Sequence, residues 1–432
     1  MVNRSIASGI PLKWKKAKII MIPKKEGMSK DPDKYRPISL TSCLSKLTER
    51  LLKTRLYSFL EDNDILVKQQ SGFRNNKGAS DNLTFFTQKL SENINRGKKA
   101  VGIFFDISKA FDKVWHNGLL YKFNNLNPPK YLLNFIRDFL SGRSFSVQID
   151  GDRGRDCGIS CSVPQGSVLG PLLFLVYIND IPLADEKHFS YSSLFADDLA
   201  TLFFFKKTGK VNSKIKKFLE NLVRWLYKYR LKMNADKCCY TVFSGNGNKD
   251  QIFFNLKLKN GLIPYNPKPT FLGIIFDEFL CFKDHVVMLR GRALKRLNII
   301  KIFSHRSWQL DSNTLKCIYD ALIGSIFTYS FFAIARIAKT NMERLQTVQN
   351  RAIRSIYRLE WCSPVDLIHE ISGLPLIKDR LTNLGKRYIG IAEGRSELME
   401  LLVSEYNAAK STIQKDKKIT PLCLFLTEGL GN

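Results

Sequence analysis

Two adjacent aspartates, Asp197 and Asp198, interrupt an apolar stretch that runs from residue 189 to residue 205. The apolar residues on either side predict two β-strands that meet at the aspartates in a tight hairpin. Neighbouring side chains point to opposite faces of a regular strand, whereas both carboxylates can lie near one site at a hairpin tip. Tight two-residue hairpins favour Asn-Gly or Asp-Gly, and no glycine is present here. The pair is therefore either an ordinary polar turn or a site that needs two carboxylates.

A third carboxylate favours the second interpretation. Asp106 follows the apolar run 100–105, which predicts a buried strand, and precedes a helix that we expect Ser108 to cap. An aspartate there is often a local cap, but adjacent carboxylates repel each other unless a cation is near. Together the three predict a site for Mg²⁺, which prefers oxygen ligands. Two such ions about 3.5–4 Å apart can activate an attacking hydroxyl and stabilise a leaving oxygen, as nucleotidyl transfer requires.

The charge of the chain indicates an anionic partner. Lys and Arg total 68 against 39 Asp and Glu, which gives a net charge of +29. Such an excess favours nucleic acid or an anionic membrane. The longest apolar stretches, 168–178 and 321–335, are shorter than the roughly 20 residues that span a bilayer, and no signal peptide is visible. Nucleic acid is therefore the favoured partner, and no membrane partner is expected.

The cysteines are scattered along the chain. None of the nine forms a CxxC pair, and the five histidines do not cluster with them. This pattern argues against a zinc site and favours free thiols in a reducing, intracellular compartment.

Hydrophobic periodicity predicts the remaining elements. They are a helix over 42–60, a turn and buried helix within 163–181, a helix over 220–229, a strand over 239–244 and mainly helical structure beyond residue 280.

One late helix carries a row of arginines. Thr340 and Glu343 have the spacing of a capping box, which predicts that the helix starts there. Downstream, four arginines fall within roughly one side of a helix: Arg344, Arg351, Arg354 and Arg358. They form either a solvated basic face or a surface that contacts phosphates.

Eight segments occur in a characteristic order, among them Phe105-Asp-Ile-Ser-Lys-Ala-Phe-Asp112 and Phe195-Ala-Asp-Asp198. The eight are 14–24, 35–40, 70–74, 105–112, 163–174, 195–198, 231–237 and 271–277. They resemble the successive blocks of reverse transcriptases from non-LTR, LINE-like retrotransposons, most closely those of the jockey type. The downstream segments 345–354 and 374–376 resemble the region that follows the polymerase in such elements.

The resemblance implies a right-hand polymerase of the α+β class. Fingers would span residues 1–99, and a palm with an antiparallel sheet and the catalytic carboxylates would span 100–280. A helical, thumb-like region would span 281–360, and a mainly helical, basic tail would span 361–432.

The resemblance also implies a role for each matching residue at the centre of the palm. Asp106, Asp197 and Asp198 would be the catalytic ligands of two Mg²⁺ ions, with Mn²⁺ as a substitute, and the backbone carbonyl of Ile107 would be a further ligand. Lys237 would protonate the departing pyrophosphate as a general acid, although a surface lysine is nearly as good an interpretation.

Five more residues would contact the nucleotide or the growing pair. Phe111 would exclude a 2′-hydroxyl, unless it is a core residue. Gln165 and Gly166 would lie near the template–primer, or form a plain turn after Pro164. Arg36 and Arg74 would hold the triphosphate from the fingers, since guanidinium binds phosphate in a bidentate way.

The implied function is RNA-directed DNA synthesis in the cytoplasm and nucleus, with an RNA template, a DNA primer and deoxynucleoside triphosphates as partners. No room for an endonuclease precedes Trp14, so we expect an element that lacks this domain. The alternative is a catalytically silent remnant that only binds RNA or DNA through its basic surface. The oligomeric state stays open.

Overall fold

The computed structural model describes residues 9–24, 30–149, 151–185, 189–245, 252–259, 261–334, 337–415 and 420–426. Up to the strand that precedes Asp106 the elements are α1 (Leu12–Lys15), β1 (Lys16–Pro23), β2 (Tyr35–Leu40), α2 (Cys43–Asp62), α3 (Ala79–Asn95) and β3 (Lys99–Phe105). Up to the aspartate pair they are α4 (His116–Asn125), α5 (Lys130–Leu140), β4 (Ser144–Ile149), β5 (Asp152–Arg153), β6 (Cys157–Gly158), α6 (Gly170–Ile178) and β7 (Ser190–Phe195).

The second half begins with β8 (Asp198–Phe205), α7 (Thr208–Lys228), β9 (Cys239–Phe243), β10 (Lys257–Leu258), β11 (Gly261–Leu262), β12 (Thr270–Phe271) and β13 (Ile274–Ile275). Helices follow: α8 (Lys283–Phe303), α9 (Ser312–Tyr319), a π-helical turn (Asp320–Gly324), α10 (Ser325–Tyr329), α11 (Phe331–Ile334), α12 (Lys339–Tyr357), α13 (Val365–Ser372), α14 (Ile377–Glu393), α15 (Glu397–Lys415) and α16 (Pro421–Leu426). In these ranges no helix is long and apolar enough to cross a membrane.

The centre of the protein is an antiparallel sheet, the palm sheet, with strand order β7-β8-β3-β9. Successive side chains of β3 enter two different cores, because residues alternate across a strand. Val101, Ile103 and Phe105 join a cluster with α2 and α4 to α7. Ala100 and Phe104 join a second cluster with α3 and the carboxyl-terminal helices. Burial on both faces fixes the register of β3 and therefore the position of the aspartate that follows it.

A second sheet, the fingers sheet, has the order β2-β1-β4-β5, with β6 paired to β4. β1 pairs with β2 in antiparallel and with β4 in parallel orientation, as in the pair Ile19 and Val147. This sheet combines strands from either side of β3. The strands of this sheet therefore extend beyond residue 99, and the predicted domain boundaries stay predictions.

The carboxyl-terminal helices pack back onto the amino-terminal half. The Tyr388 hydroxyl donates to Asp81 of α3, and Gln88 Nε2 donates to Thr420 Oγ1 at 3.0 Å. Lys89 forms an ion pair with Glu405 of α15. The predicted tail 361–432 is helical as expected in its described part, and it is integrated into the second core.

Most predicted elements are confirmed. The helix over 42–60 is α2, the helix within 163–181 is α6, the helix over 220–229 is the last part of α7, and the strand over 239–244 is β9.

Two predicted helix starts are wrong. Ser108 caps no α-helix, because Lys109 takes a left-handed conformation (φ +49°) and only a short 3₁₀ helix, Phe111–Lys113, follows. The late helix begins at Lys339, with Ala338 at its cap and no side-chain capping bond. Thr340 already lies inside that helix, so the capping-box spacing is coincidental.

Candidate active site

The aspartate pair lies at the tip of the β7–β8 hairpin. Phe195 and Asp198 form the last strand pair, so Ala196 and Asp197 are the two-residue turn. Ala196 has φ +53°, a left-handed conformation that disfavours any residue with a Cβ. The backbone at the tip is therefore held by its surroundings rather than by its own preference.

Gln70 supplies much of this restraint. Its Oε1 accepts from the backbone N–H of Ala196 and of Gly72, both at 2.8 Å. Its Nε2 donates to the carbonyl of Ala196 at 3.2 Å. The side chain is 2% exposed and Ala196 is buried as well, so these bonds satisfy polar groups that have little access to water.

The residues next to Gln70 extend the contact along β7. Ser71 N–H donates to the Leu194 carbonyl at 3.1 Å, and Asn82 Nδ2 donates to the same oxygen at 2.7 Å. A Cβ at Gly72 would overlap the backbone of Ala196. Gly72 therefore allows the segment to approach the hairpin closely.

Asp106 lies beside the hairpin tip. Phe105 pairs with Leu199, so Asp106 follows the last β3–β8 pair next to Asp198. Its backbone is anchored by the 231–237 segment: the Asp106 carbonyl accepts from Asn234 N–H at 2.9 Å. Ile107 pairs with Met233 in a single bridge, and no hydrogen bond within the described ranges uses the Ile107 carbonyl.

The three carboxylates interact through space. The pKa of Asp197 is raised by burial and by the negative charge of Asp106, against the opposing effect of Arg36. The pKa of Asp198 is raised to about 6 by burial, by Asp197 and by Asp106. Lys237 Nζ lies 3.7 Å from Asp106 Oδ2. A raised pKa means that the negative charge of these carboxylates is unfavourable by itself. A bound divalent cation would stabilise that charge.

The carboxylates are not gathered into a closed cage. Within the described residues no group of three His, Cys, Asp or Glu side chains is arranged closely enough to hold an ion by itself. Mg²⁺ ordinarily takes one or two carboxylates and completes its shell with water and substrate phosphates. An open set of acidic ligands is consistent with this kind of binding.

Phe111 lies in the short 3₁₀ helix that follows Asp106. It is half-buried, stacks on Phe174 with ring centroids 4.3 Å apart, and meets Phe73 edge to face at 5.9 Å. The ring is thus fixed in orientation by two aromatic neighbours while part of it stays accessible. The ring contacts match the interpretation of Phe111 as a core residue, and its accessible part leaves room for the predicted contact with nucleotide.

Gln165 and Gly166 connect the palm to the fingers sheet. Gln165 Nε2 donates to Asp112 Oδ1 at 2.8 Å, and its carbonyl accepts from Ser39 N–H at 2.6 Å. Gly166 has φ +109°, and a Cβ there would lie 2.7 Å from the Ser39 carbonyl oxygen. The glycine is required by the approach of β2, a reason different from the predicted approach to a ligand.

The two arginines predicted to hold the triphosphate differ in position. Arg36 is exposed on β2 and lowers the pKa of Asp197, so it acts electrostatically on the carboxylates. Arg74 is 7% exposed and forms an ion pair with Glu61, with Nε 2.8 Å from Glu61 Oε1. Its Nη1 also donates to the Val67 carbonyl at 3.0 Å. Arg74 thus uses these donors within the protein, and its predicted contact with nucleotide stays a prediction.

Residues 22–276 match the family described as reverse transcriptase (RNA-dependent DNA polymerase). The chain belongs to this family. The matched range includes the palm sheet, the hairpin tip and Asp106, so the predicted resemblance is confirmed. The predicted α+β class, with its antiparallel palm sheet and helical carboxyl-terminal part, is confirmed as well.

Individual reverse transcriptases of mobile elements are similar over most of the chain. The RNA-directed DNA polymerase from mobile element jockey of Drosophila melanogaster is 30% identical over 391 residues, 88% of this chain and 42% of that protein. The probable RNA-directed DNA polymerase from transposon BS of the same species is 28% identical over 386 residues, with the same two shares. The chain therefore spans less than half the length of these relatives.

Among solved structures, a telomerase from Candida tropicalis in complex with a fragment of telomeric RNA aligns with a TM-score of 0.44. Its sequence is 15% identical, and the alignment covers 91% of this chain and 65% of that one.

The arginine row lies on a helix outside the range matched to reverse transcriptases. Arg344 and Arg351 are exposed on α12. Arg354 is half-buried and donates to the Ser363 carbonyl at 2.6 Å, whereas Arg358 follows the helix in a left-handed conformation. The row therefore presents two exposed arginines on the helix, one half-buried arginine that bonds nearby backbone, and an exposed arginine just after the helix.

Three polar residues of this reverse transcriptase site were not predicted from the sequence. Gln70 and Asn82 hold the hairpin, and Asp112, whose pKa is raised by burial, accepts from Gln165. Gln70 and Asp112 lie inside the segments 70–74 and 105–112 that resemble reverse transcriptases, and this position was the only sequence feature that could have indicated a role. Their partners are 126 and 53 residues away along the chain, which no local pattern reveals.

Proposed function

We propose that the chain is an RNA-directed DNA polymerase that adds deoxynucleotides to a primer 3′-hydroxyl. The observation that carries the proposal is the arrangement of Asp106, Asp197 and Asp198 within the range matched to reverse transcriptases. The pKa of Asp197 and of Asp198 is raised by burial first and then by the neighbouring carboxylates, which supports the proposal because a bound cation would stabilise the ionised forms of such groups.

Asp106, Asp197 and Asp198 would hold Mg²⁺, with Mn²⁺ as a substitute, and the carbonyl of Ile107, which accepts no hydrogen bond within the described ranges, would be a further ligand. The ions would supply charge stabilisation for phosphoryl transfer when bound. The protein's part is to keep these oxygens in place. Burial of β3 on two faces and the Gln70 contact to the hairpin provide that rigidity.

Other residues of the chain would orient the substrates. The accessible edge of Phe111, fixed by its two aromatic neighbours, would exclude a 2′-hydroxyl from the nucleotide site. Arg36 would offset phosphate charge beside Asp197. Lys237, whose Nζ lies 3.7 Å from Asp106 Oδ2, would transfer a proton to the leaving group. Arg344 and Arg351 would contact the phosphates of the RNA template or DNA primer.

Primer extension tests the proposal. The full chain is given a poly(rA)–oligo(dT) template with Mg²⁺ and dTTP, and the length of the product is measured. We expect extension by the parent protein and by Asp62→Ala, which removes an exposed carboxylate at the end of α2. Asp197→Ala should give no detectable extension, because a ligand of the metal has been removed.

The alternative of a binding-only remnant predicts template binding without extension by any of these proteins. Binding of the template, measured in a chelator, should be the same for the parent and Asp197→Ala, since binding depends on the basic surface. A folded parent protein that binds template and yet gives no extension with Mg²⁺ or Mn²⁺ contradicts the polymerase proposal and supports the remnant.

A further inference from the structure

A basic groove lies on the outer side of the palm, between α7 and the short β10–β11 hairpin. It consists of two cavities of about 960 and 730 Å³. The cavities share Val223, Tyr227, Leu258 and Lys259 in their linings, so they form one continuous depression. We call this depression the basic groove.

The charge of the basic groove is strongly one-sided. Exposed cations follow its α7 side and the segment after that helix: Lys216, Arg224, Lys228, Arg230 and Lys232. Lys257 and Lys259 are exposed on the opposite wall, and Glu220 is the single carboxylate in the two linings. None of the seven cations forms an ion pair with a carboxylate of the described ranges. A polyanion would meet unpaired positive charge along both walls.

Aromatic rings accompany these charges. Tyr227 is 76% exposed, and Lys259 Nζ lies 4.9 Å from its ring centroid. At the other end of the groove, the Arg230 guanidinium lies 4.2 Å from the ring centroid of half-buried Trp115. An exposed ring flanked by cations is the arrangement on which unpaired bases stack while the phosphates are neutralised.

The groove ends directly behind the catalytic strand. The Lys232 carbonyl accepts from Ser108 N–H at 2.9 Å, and Met233 pairs with Ile107, the residue after Asp106. A strand held in the groove would therefore be tethered close to the carboxylates without occupying them.

We propose that the basic groove binds single-stranded nucleic acid at a site separate from the catalytic carboxylates. In a duplex the base faces are stacked on each other and are not available to Tyr227. An acidic peptide carries charge but no planar base beside each charge. A single strand offers both phosphates for the cations and bases for the exposed ring. The binding does not depend on polymerase activity and needs no metal.

The test is a binding measurement in a chelator. The full chain is preloaded with an unlabelled RNA–DNA duplex that fills its other nucleic-acid surfaces, and the Kd for a fluorescein-labelled 12-nucleotide oligo(rU) is measured by anisotropy over a salt series. Lys257→Ser with Lys259→Ser is compared with Lys386→Ser with Arg387→Ser, which removes two exposed charges from α14. Thermal melts establish that each variant is folded.

We expect the groove variant to weaken binding by about tenfold or more. Its log K against log salt should become shallower by about 0.7 for each phosphate that the variant no longer neutralises. The control should stay within about twofold of the parent. Tyr227→Leu should weaken binding at least about fivefold with an unchanged salt slope, whereas Tyr227→Phe, which keeps the ring, should restore it.

Two results would overturn the proposal: equal binding by the groove variant and the control, or displacement of oligo(rU) by an equal charge of oligo-glutamate. The same series with oligo(dT) identifies which strand the groove holds, and the stated losses with either strand support the proposal. Repetition in the Asp197→Ala background separates the outcome from that of the polymerase test, because binding should be unaffected there.

Discussion

At the scale of single residues, the Gln70 amide joins two parts of the chain that are far apart in sequence. It satisfies three backbone groups, two of them at Ala196. Ala196 would otherwise have to hold a left-handed conformation next to Asp197 by itself. Gln70 is therefore a positioning residue for the hairpin tip.

Gln70→Ala should lower both stability and turnover. Two buried N–H groups lose their acceptor, which should cost about 2–4 kcal/mol of unfolding free energy. The kcat for primer extension should fall by about tenfold or more, measured well below the melting temperature, because Asp197 loses its fixed position. Gln69→Ala is the control, since the Gln69 side chain interacts with Asp185 and, in the part of the chain that the structure describes, forms no hydrogen bond with Ala196. An unchanged kcat in folded Gln70→Ala would refute the positioning role.

Gly166→Ala should destabilise the protein by about 3 kcal/mol or more. Its positive φ is strained for alanine, and the new Cβ would meet the Ser39 carbonyl oxygen. Gly209→Ala, where the added Cβ has nothing within 4 Å, should change the unfolding free energy by less than about 0.5 kcal/mol. Urea denaturation of both variants measures the difference, and equal values would contradict the close-approach explanation.

Residue identities were easier to predict than residue contacts. Asp106, Asp197 and Asp198 could be singled out because each lies at the end of an apolar run that predicts a strand, a pattern visible within a few residues. Arg74 is an example: its block predicts a phosphate contact, which stays a prediction, and gives no sign that Glu61 and nearby carbonyls accept hydrogen bonds from its guanidinium. Whether an arginine faces solvent depends on the packing of α2, which the sequence around Arg74 does not reveal.

At the scale of elements, long apolar runs were predictable and short connections were not. β3 and the β7–β8 hairpin follow from residue alternation and burial. The segment after Asp106 did not become a capped helix, because Ser108 N–H donates to the Lys232 carbonyl and Lys109 turns into the left-handed region. A tertiary hydrogen bond therefore overrides the local capping preference.

Helix α8 carries a buried histidine that makes stability depend on pH. His285 bonds Ser330 Oγ through Nε2 at 2.9 Å, and burial together with Arg292 lowers its pKa from 6.5 to about 4. The unfolded chain therefore binds a proton more readily than the folded one between these pH values. This contribution to stability should be complete above about pH 6.5, fall as the pH drops from 6.5 towards 4, and level off below 4.

We expect a loss of about 2 kcal/mol between pH 7 and pH 5 from this group, at about 1.4 kcal/mol per pH unit. Urea denaturation at the two pH values measures it. His285→Gln should reduce the loss, whereas His305→Gln, an exposed side chain, should leave it unchanged. The same pH dependence in His285→Gln as in the parent would contradict the assignment.

At the scale of the whole molecule, the last helix closes the second core. Phe425 is 3% exposed and lies 5.6 Å from Phe331, ring centroid to centroid. A Cβ added at Gly385 would overlap the Phe425 ring, so this close contact requires glycine. The carboxyl-terminal helices are thus part of the palm's support, which the sequence did not predict because the contacts with α3 span more than 300 residues.

Phe425→Ala should destabilise the whole chain by about 3–5 kcal/mol, the usual cost of a buried phenylalanine cavity. Leu401→Ala, at a side chain that is 48% exposed on α15, should cost less than about 1 kcal/mol. A single unfolding transition shifted to lower temperature is expected for Phe425→Ala. A parent-like melting curve would show that α16 is not coupled to the palm.

The fingers sheet has a consequence for synthesis on the ribosome. β1 and β2 are made early, but β1 obtains its second neighbour only when residues 144–149 emerge. At about 5–20 residues per second, that strand follows β2 by about 5–20 seconds. During this interval one edge of β1 is unpaired and open to other strands. Expression at low temperature or with chaperones should therefore matter more for this chain than for one whose sheets form from consecutive strands.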